Sequence, residues 1–105
     1  MEELFQQLLA DVKNYLDITW SDPDTDKKIE NLVRNGMAYL DKKRGEPALY
    51  TEPGLARSLL FDYVRYARDQ ALDVFENNYL PLILSMQNES AVSAYDLEET
   101  QPTLP

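Results

Sequence analysis

The chain has 105 residues, a formal net charge of −9, and neither cysteine nor histidine. At this length a single domain is expected, and the missing side chains exclude disulfide scaffolds, thiolate metal sites, thiol nucleophiles, Ser-His-Asp triads and HExxH metal sites. Because Lys and Arg supply most of the affinity for nucleic-acid phosphates, a chain this acidic is also a poor candidate for a nucleic-acid-binding protein.

The first predicted helix covers about residues 2–17. Its apolar residues recur at steps of three and four, which places them on one stripe. Glu2 and Glu3 lie in the first turn, where carboxylates stabilise the positive end of the helix dipole. The stripe consists of Leu4, Phe5, Leu8, Leu9, Val12, Tyr15 and Leu16.

The second predicted helix covers about residues 23–43. Pro23 suits the first helical position, and Asp22 before it can cap the free backbone amides. Gly36 lies inside the apolar stripe, where it costs about 1 kcal/mol relative to Ala, so we expect another helix to approach closely at that point. The rest of the stripe is Ile29, Leu32, Val33, Met37 and Leu40.

The last turn of this helix is basic, with Lys42, Lys43 and Arg44 before a natural stop at Gly45. Cations stabilise the negative end of a helix dipole. We also consider this trio a candidate contact that meets the acidic C-terminal third of a neighbouring subunit, in an assembly that weakens with salt.

The third predicted helix covers about residues 53–80 and would be about 42 Å long. A compact domain of this size has a diameter of about 34 Å, so the helix must either bend or project. Pro81 is expected to kink it and to begin a short further helix. We therefore predict a small all-α bundle in residues 1–88 and an acidic, flexible tail in residues 89–105.

The apolar residues on the surplus length are candidate subunit or partner contacts. The alternative is that they fold back over the first helix. If they are contacts, deletion of residues 81–105 should leave a folded chain that cannot assemble, whereas global unfolding would show that the segment belongs to the core. The candidate contacts are Tyr79, Leu80, Leu82, Ile83 and Met86.

Charge changes along the chain, because every Lys and Arg lies at or before Arg68. Asp69, Asp73 and Glu76 therefore begin a segment of one sign and form a candidate acidic contact or channel face. The alternative is an ordinary solvated face.

No metal or cofactor site is predicted. The spacing of Asp22, Asp24 and Asp26 resembles the start of a calcium loop, but Lys27 and Val33 occupy the positions that need Gly and Glu. The carboxylates of the third helix lack the histidines of di-metal bundles. No segment is apolar enough to span a membrane, and an acidic start, Met1-Glu2-Glu3, does not fit a secretory signal, so we expect a cytoplasmic origin.

The order of these patterns resembles the small head–tail connector (head-completion or adaptor) proteins of tailed bacteriophages and related prophages. The resemblance covers about residues 4–85. It begins with Leu9–Ile18, a short helix that ends in an acidic turn, and continues with the acidic Asp22–Asp26 before Ile29–Leu40. The stop at Gly45 and the long helix that begins at Leu55 complete it.

The resemblance implies an all-helical, non-enzymatic structural protein. Family members form a homo-oligomeric ring beneath the portal protein, extend the DNA channel without binding DNA specifically, and present a surface to a tail or stopper protein. The expected location is therefore the head–tail junction of the virion, after synthesis in the cytoplasm of a host bacterium. Two other interpretations stay open: an acidic DNA mimic that inhibits a nucleic-acid-binding protein, and a generic helical protein-interaction domain.

Overall fold

The computed structural model describes the backbone of residues 2–100 and the side chains of residues 3–89. Within this described backbone four helices follow one another: α1 (Glu2–Tyr15), α2 (Pro23–Arg44), α3 (Leu55–Arg68) and α4 (Leu72–Thr100). The prediction of an all-α fold is confirmed. The prediction of three main helices is wrong, because the third one divides into α3 and α4.

The ends of α2 follow the predicted signals. The Asp22 carboxylate accepts a hydrogen bond from the backbone N–H of Thr25 at 3.1 Å, and Pro23 opens the helix. At the other end Gly45 adopts a φ of +91° and donates its N–H to the carbonyl of Asp41 at 2.9 Å. A positive φ is accessible to glycine at little cost, so the sequence stops the helix at this residue.

The long third helix is interrupted after Arg68 by a tight reversal. Gln70 adopts a φ of +58°, its N–H donates to the carbonyl of Ala67 at 3.0 Å, and the N–H of Ala71 donates to the carbonyl of Tyr66 at 2.8 Å. This pair of bonds is a Schellman motif with glutamine in the position that usually holds glycine. The chain therefore turns back, and α4 runs along α3 instead of extending it.

Pro81 lies inside α4 and does not begin a new helix. A proline in a helix removes one backbone hydrogen bond and crowds the preceding turn. Pro81 is exposed, so the carbonyl that it leaves free can reach water. The predicted separate helix after Pro81 is therefore part of α4, which continues through residues 89–100 of the predicted tail. Residues 101–105 lie outside the described chain, and the flexibility of the tail stays a prediction.

The close approach predicted at Gly36 occurs between α2 and α3. A Cβ atom at this position would lie 2.7 Å from Leu60 Cδ1 and 2.8 Å from Tyr63 Cδ1. Both distances are shorter than van der Waals contact, and Leu60 is fully buried. Glycine is thus used here to bring two helices together, and the helix propensity it loses is offset by packing.

One hydrophobic core joins all four helices. The α2–α3 pair forms its centre; α1 and α4 each pack on both of these helices and, within the described residues, do not pack on each other. The most deeply buried side chains are Leu8, Val12, Val33, Leu40, Leu59, Leu60, Val64, Phe75 and Met86.

The molecule is elongated, with extents of 61 × 33 × 18 Å and a radius of gyration of 16.0 Å. A compact domain of about 100 residues has a radius of gyration of about 13 Å. The excess comes from α4, whose 29 residues span about 43 Å at 1.5 Å per residue. Its final turns continue past the end of α2, so the molecule has a projecting helical arm.

The left-handed conformation of Gln70 leads to a stability prediction. Replacing Gln70 with glycine should raise the free energy of unfolding by about 0.5–1 kcal/mol, because the strain of an L-residue at positive φ exceeds the extra chain entropy of glycine. Urea denaturation measures the difference. The matched control, Gln7→Gly inside α1, should lose about 0.5–1 kcal/mol. A destabilised Gln70→Gly variant would show that the reversal is not built on this residue.

Candidate interaction surface

The outer surface of α4 carries exposed leucines. Leu80 is 52% exposed and Leu84 is 48% exposed, and residues four apart lie above one another on a helix. We call these two side chains the leucine ridge. Leu82, 43% exposed, lies on the opposite flank of the same helix. Two exposed leucines one helical turn apart form a small apolar patch that another protein surface can cover.

Two of the five predicted contact residues lie in the core instead. Ile83 is 3% exposed and Met86 is 1% exposed, so both pack inside the chain. Tyr79 is half-buried, with its ring stacked on that of Phe75 at a centroid distance of 4.7 Å. The segment therefore folds back, as the alternative held, but onto α2 and α3 and not onto α1. Of the predicted set, Leu80 and Leu82 remain on the surface.

The predicted acidic residues are all exposed, but they do not lie on one helix. Asp69 is the C-cap that follows α3, Asp73 lies in the first turn of α4, and Glu76 follows one turn later. Glu76 also lies beside two tyrosines of the core edge. Burial, reinforced by the Glu76 carboxylate, raises the pKa of Tyr39 and of Tyr63.

The basic end of α2 is partly engaged within the chain. Arg44 donates to the carbonyl of Pro47 at 2.7 Å and forms an ion pair with Glu46 at 3.4 Å. The Lys43 ammonium lies 5.5 Å from the centroid of the Tyr39 ring, and Lys42 is exposed. The side-chain amide of Gln87 donates to the Lys43 carbonyl at 2.7 Å, so α4 passes directly beside this basic end.

A groove between α1 and α2 was not predicted, because its shape depends on how the two helices cross. Its volume is about 410 Å³, and Leu9, Ala10 and Ile29 form its apolar floor. We call it the α1–α2 groove. Its polar rim consists of Gln6, Lys13, Asp26, Lys27 and Glu30.

The charges around this groove are unequally engaged. Lys13 and Asp26 form an ion pair at 2.5 Å, and Arg34, one turn beyond the rim, lies 3.9 Å from Glu30. Lys27 is exposed and has no ion-pair partner among the described residues. The Arg34 guanidinium also lies over the Phe5 ring, 4.1 Å from its centroid. The groove thus combines an apolar floor with an available cation.

A hydrogen-bonded network fixes the loop between α2 and α3, and sequence reasoning did not find it. The buried Tyr50 hydroxyl donates to the Asp41 carboxylate at 2.5 Å, which also accepts the backbone N–H of Ala48 at 3.1 Å. Arg57 donates to the Tyr50 carbonyl and to the Asp11 carboxylate, both at 3.0 Å. Burial, together with the bond to Asp41, raises the pKa of Tyr50 well above its ordinary value.

We expect this network to make stability fall at alkaline pH, because the pKa of Tyr50 is raised in the folded chain. The ordinary pKa of a tyrosine is about 10, so above that pH the unfolded chain releases the Tyr50 proton while the folded chain keeps it. The folded state then binds more protons, and the free energy of unfolding falls by about 1.4 kcal/mol per pH unit for each such group. Below about pH 9 both states are protonated and the effect is absent.

Urea denaturation between pH 8 and 11.5, with phenolate absorption followed in parallel, tests this expectation. Tyr50→Phe should show a shallower decline above pH 10 than the unchanged chain, because one raised group is gone. Equal slopes for the two proteins would contradict the role of Tyr50.

A polar cavity of about 520 Å³ lies where the end of α1, α3 and the start of α4 meet. Tyr15 donates to the Asp62 carboxylate there, and this bond raises the pKa of Tyr15. Burial is the main cause that raises the pKa of Tyr79, and the hydrogen bond between Tyr79 and Tyr66 raises it further. Within residues 3–89, no group of three or more carboxylates is arranged to hold a metal ion.

Comparison of the chain with protein-family models, with curated proteins and with solved structures finds no match. In the part of the chain that the structure describes, none of the helices combines the length and the apolar character that a bilayer crossing requires.

Proposed function

We propose that this protein is a structural adaptor of a tailed-bacteriophage virion. In this role it forms a ring under the portal, joins the head to the tail and extends the DNA channel. The observation that carries the proposal is α4, a long helix with an exposed leucine ridge and a one-signed charge. The role is structural and needs no catalytic group.

The arrangement of the helices supports this proposal. The resemblance to connector proteins implies an all-helical fold, and the residues that carry it form α1, α2, α3 and the first half of α4. The reversal at Gln70 keeps these helices in one bundle and leaves the end of α4 to project. A bundle with an arm can contact its neighbours in a ring and a second protein at the same time.

The charge of α4 supports a place beside DNA. Glu89 is exposed on the flank of α4 opposite the leucine ridge, Asp69 is exposed just before the helix, and the helix contains no Lys or Arg. A wall of negative charge repels the phosphates of a passing duplex, so DNA can slide without binding. An adaptor that lines a channel needs this property.

A reconstitution experiment tests the function. The full chain is mixed with the purified portal complex of the phage that encodes it, and the product is imaged by electron microscopy. We expect a ring of added density at the DNA exit of the portal. A portal that keeps its unmodified outline, and a chain that does not copurify with it, would sink the proposal.

Two measurements separate this function from the DNA-mimic interpretation. A mimic would protect DNA from a nuclease or displace DNA from a DNA-binding enzyme, without any portal present. A connector should do neither. The matched variant Asp73→Asn with Glu76→Gln removes the exposed carboxylates at the start of α4. This change should abolish inhibition by a mimic, whereas a connector should show no inhibition before or after it.

A further inference from the structure

The chemistry of the leucine ridge restricts what can cover it. Leu80 and Leu84 follow Asp73 and Glu76 along one line of the α4 surface, since these four residues are spaced at three and four positions. The helix supplies anions and no cations. A surface that covers this strip must therefore be apolar at its centre and basic at its edge.

A second α4 does not meet this requirement. Two leucine ridges packed in parallel would bring Asp73 and Glu76 of both copies beside each other, and an antiparallel pair would leave these carboxylates facing a helix without a cation. Like charges across an interface are unfavourable, and α4 has no Lys or Arg to compensate them. A symmetric dimer through α4 is thus disfavoured by its own side chains.

The α1–α2 groove meets the requirement for a surface that is apolar at its centre and basic at its edge. The floor of Leu9, Ala10 and Ile29 is apolar. The two rim carboxylates are already engaged, Asp26 by Lys13 and Glu30 by Arg34, so the exposed Lys27 is the rim charge left for a partner. The groove is concave, and the ridge is a convex row on a helix, so the two shapes match as in helix-in-groove recognition. Because α1 and α4 flank the α2–α3 pair without packing on each other, one copy cannot make this contact with itself.

We infer that the leucine ridge of one copy binds in the α1–α2 groove of the next copy. The contact joins two different surfaces, so an open chain of subunits keeps one free ridge at one end and one free groove at the other until a ring closes. This inference rests on the subunit ring of the proposed function and names the two surfaces that form it.

Disulfide cross-linking tests this contact even if it is weak, because the chain contains no cysteine of its own. The full chain with Ala10→Cys and Leu84→Cys carries one thiol in the groove and one on the ridge. Among the described residues no Cα atom of α1 lies within 8 Å of one in α4, whereas a disulfide needs less than about 7 Å, so these thiols cannot join within one copy. Mild oxidation of the purified protein should give a ladder of covalent dimers, trimers and larger species.

The matched control places the first thiol elsewhere on α1. Gln7 is exposed and bonds to Asp11 on the side of α1 away from the groove. The chain with Gln7→Cys and Leu84→Cys should form its ladder about tenfold more slowly, because its thiols are not held together by the contact. Thermal unfolding of both proteins verifies that each is folded.

Equal cross-linking rates for the two double variants would overturn the inference. So would rapid dimerisation of a chain that carries Leu84→Cys alone, since the ridge would then be meeting another ridge. Portal binding tests the connector function separately. A groove-specific ladder without portal binding would refute only that function, and portal binding without a groove-specific ladder would refute only this contact.

Discussion

A chain that lacks residues 81–105 is expected to lose its stable fold. The deletion removes Ile83 and Met86, which are 3% and 1% exposed and fill the space between α4 and the α2–α3 pair. Truncating one buried residue of this size to alanine costs about 2–5 kcal/mol, and the total stability of a domain is about 5–15 kcal/mol. Loss of both side chains with their helix should consume most of that stability.

Circular dichroism and urea denaturation measure this loss. The matched control is a chain without residues 90–105, which keeps every buried side chain described for α4 and should stay within about 1 kcal/mol of the full protein. The sequence pattern alone predicts a folded product from the longer deletion, because it places residues 81–88 on a projecting helix. Equal stability of the two truncated chains would show that α4 does not dock through Ile83 and Met86.

Replacing Phe75 with alanine should be the most damaging single substitution. Phe75 is fully buried at the centre of a group of aromatic rings. The ring centroids of Tyr79, Tyr63 and Tyr66 lie 4.7, 5.6 and 6.0 Å away, and that of Tyr39 lies 6.4 Å away. Removal of a buried phenylalanine costs about 3–5 kcal/mol, since both the transfer energy and the ring contacts are lost.

Urea denaturation of Phe75→Ala, with Val74→Ala as its control, tests this arrangement. Val74 is the preceding residue of the same helix and is 41% exposed, so its truncation should change stability by about 0.5 kcal/mol or less. Similar losses for the two variants would mean that α4 is not oriented with Phe75 toward α3.

The sequence predicted α1 and α2 to within two residues at each end. Their starts and stops depend on local chemistry, namely the cap at Asp22, the proline after it and the glycine at position 45. The reversal between α3 and α4 could not be predicted in this way. Gln70 carries no turn signal, and the apolar spacing continues unchanged through Ala67, Ala71 and Phe75. Only the packing of α4 on α3 stabilises a glutamine in a left-handed conformation.

The sequence predicts only part of the candidate interaction surface, again because the rest depends on how the helices pack. Between residues 79 and 86 the helix is apolar on nearly every side, so spacing alone cannot separate Leu80 and Leu84 on the surface from Ile83 and Met86 in the core. The division depends on the direction from which α2 and α3 approach. The α1–α2 groove depends on a crossing between two helices and has no counterpart in any one segment of sequence.

The peripheral position of α1 has a thermodynamic consequence. This helix rests on the α2–α3 pair through Leu8 and Val12, with Asp11 and Lys13 joined to Arg57 and Asp26 at its edges. An element held by so few buried side chains opens at a lower free energy than the rest of the fold. The α1–α2 groove exists only while α1 is closed. Any molecule that occupies the groove must therefore slow amide hydrogen exchange in α1, and loosening α1 must weaken binding by the same free energy.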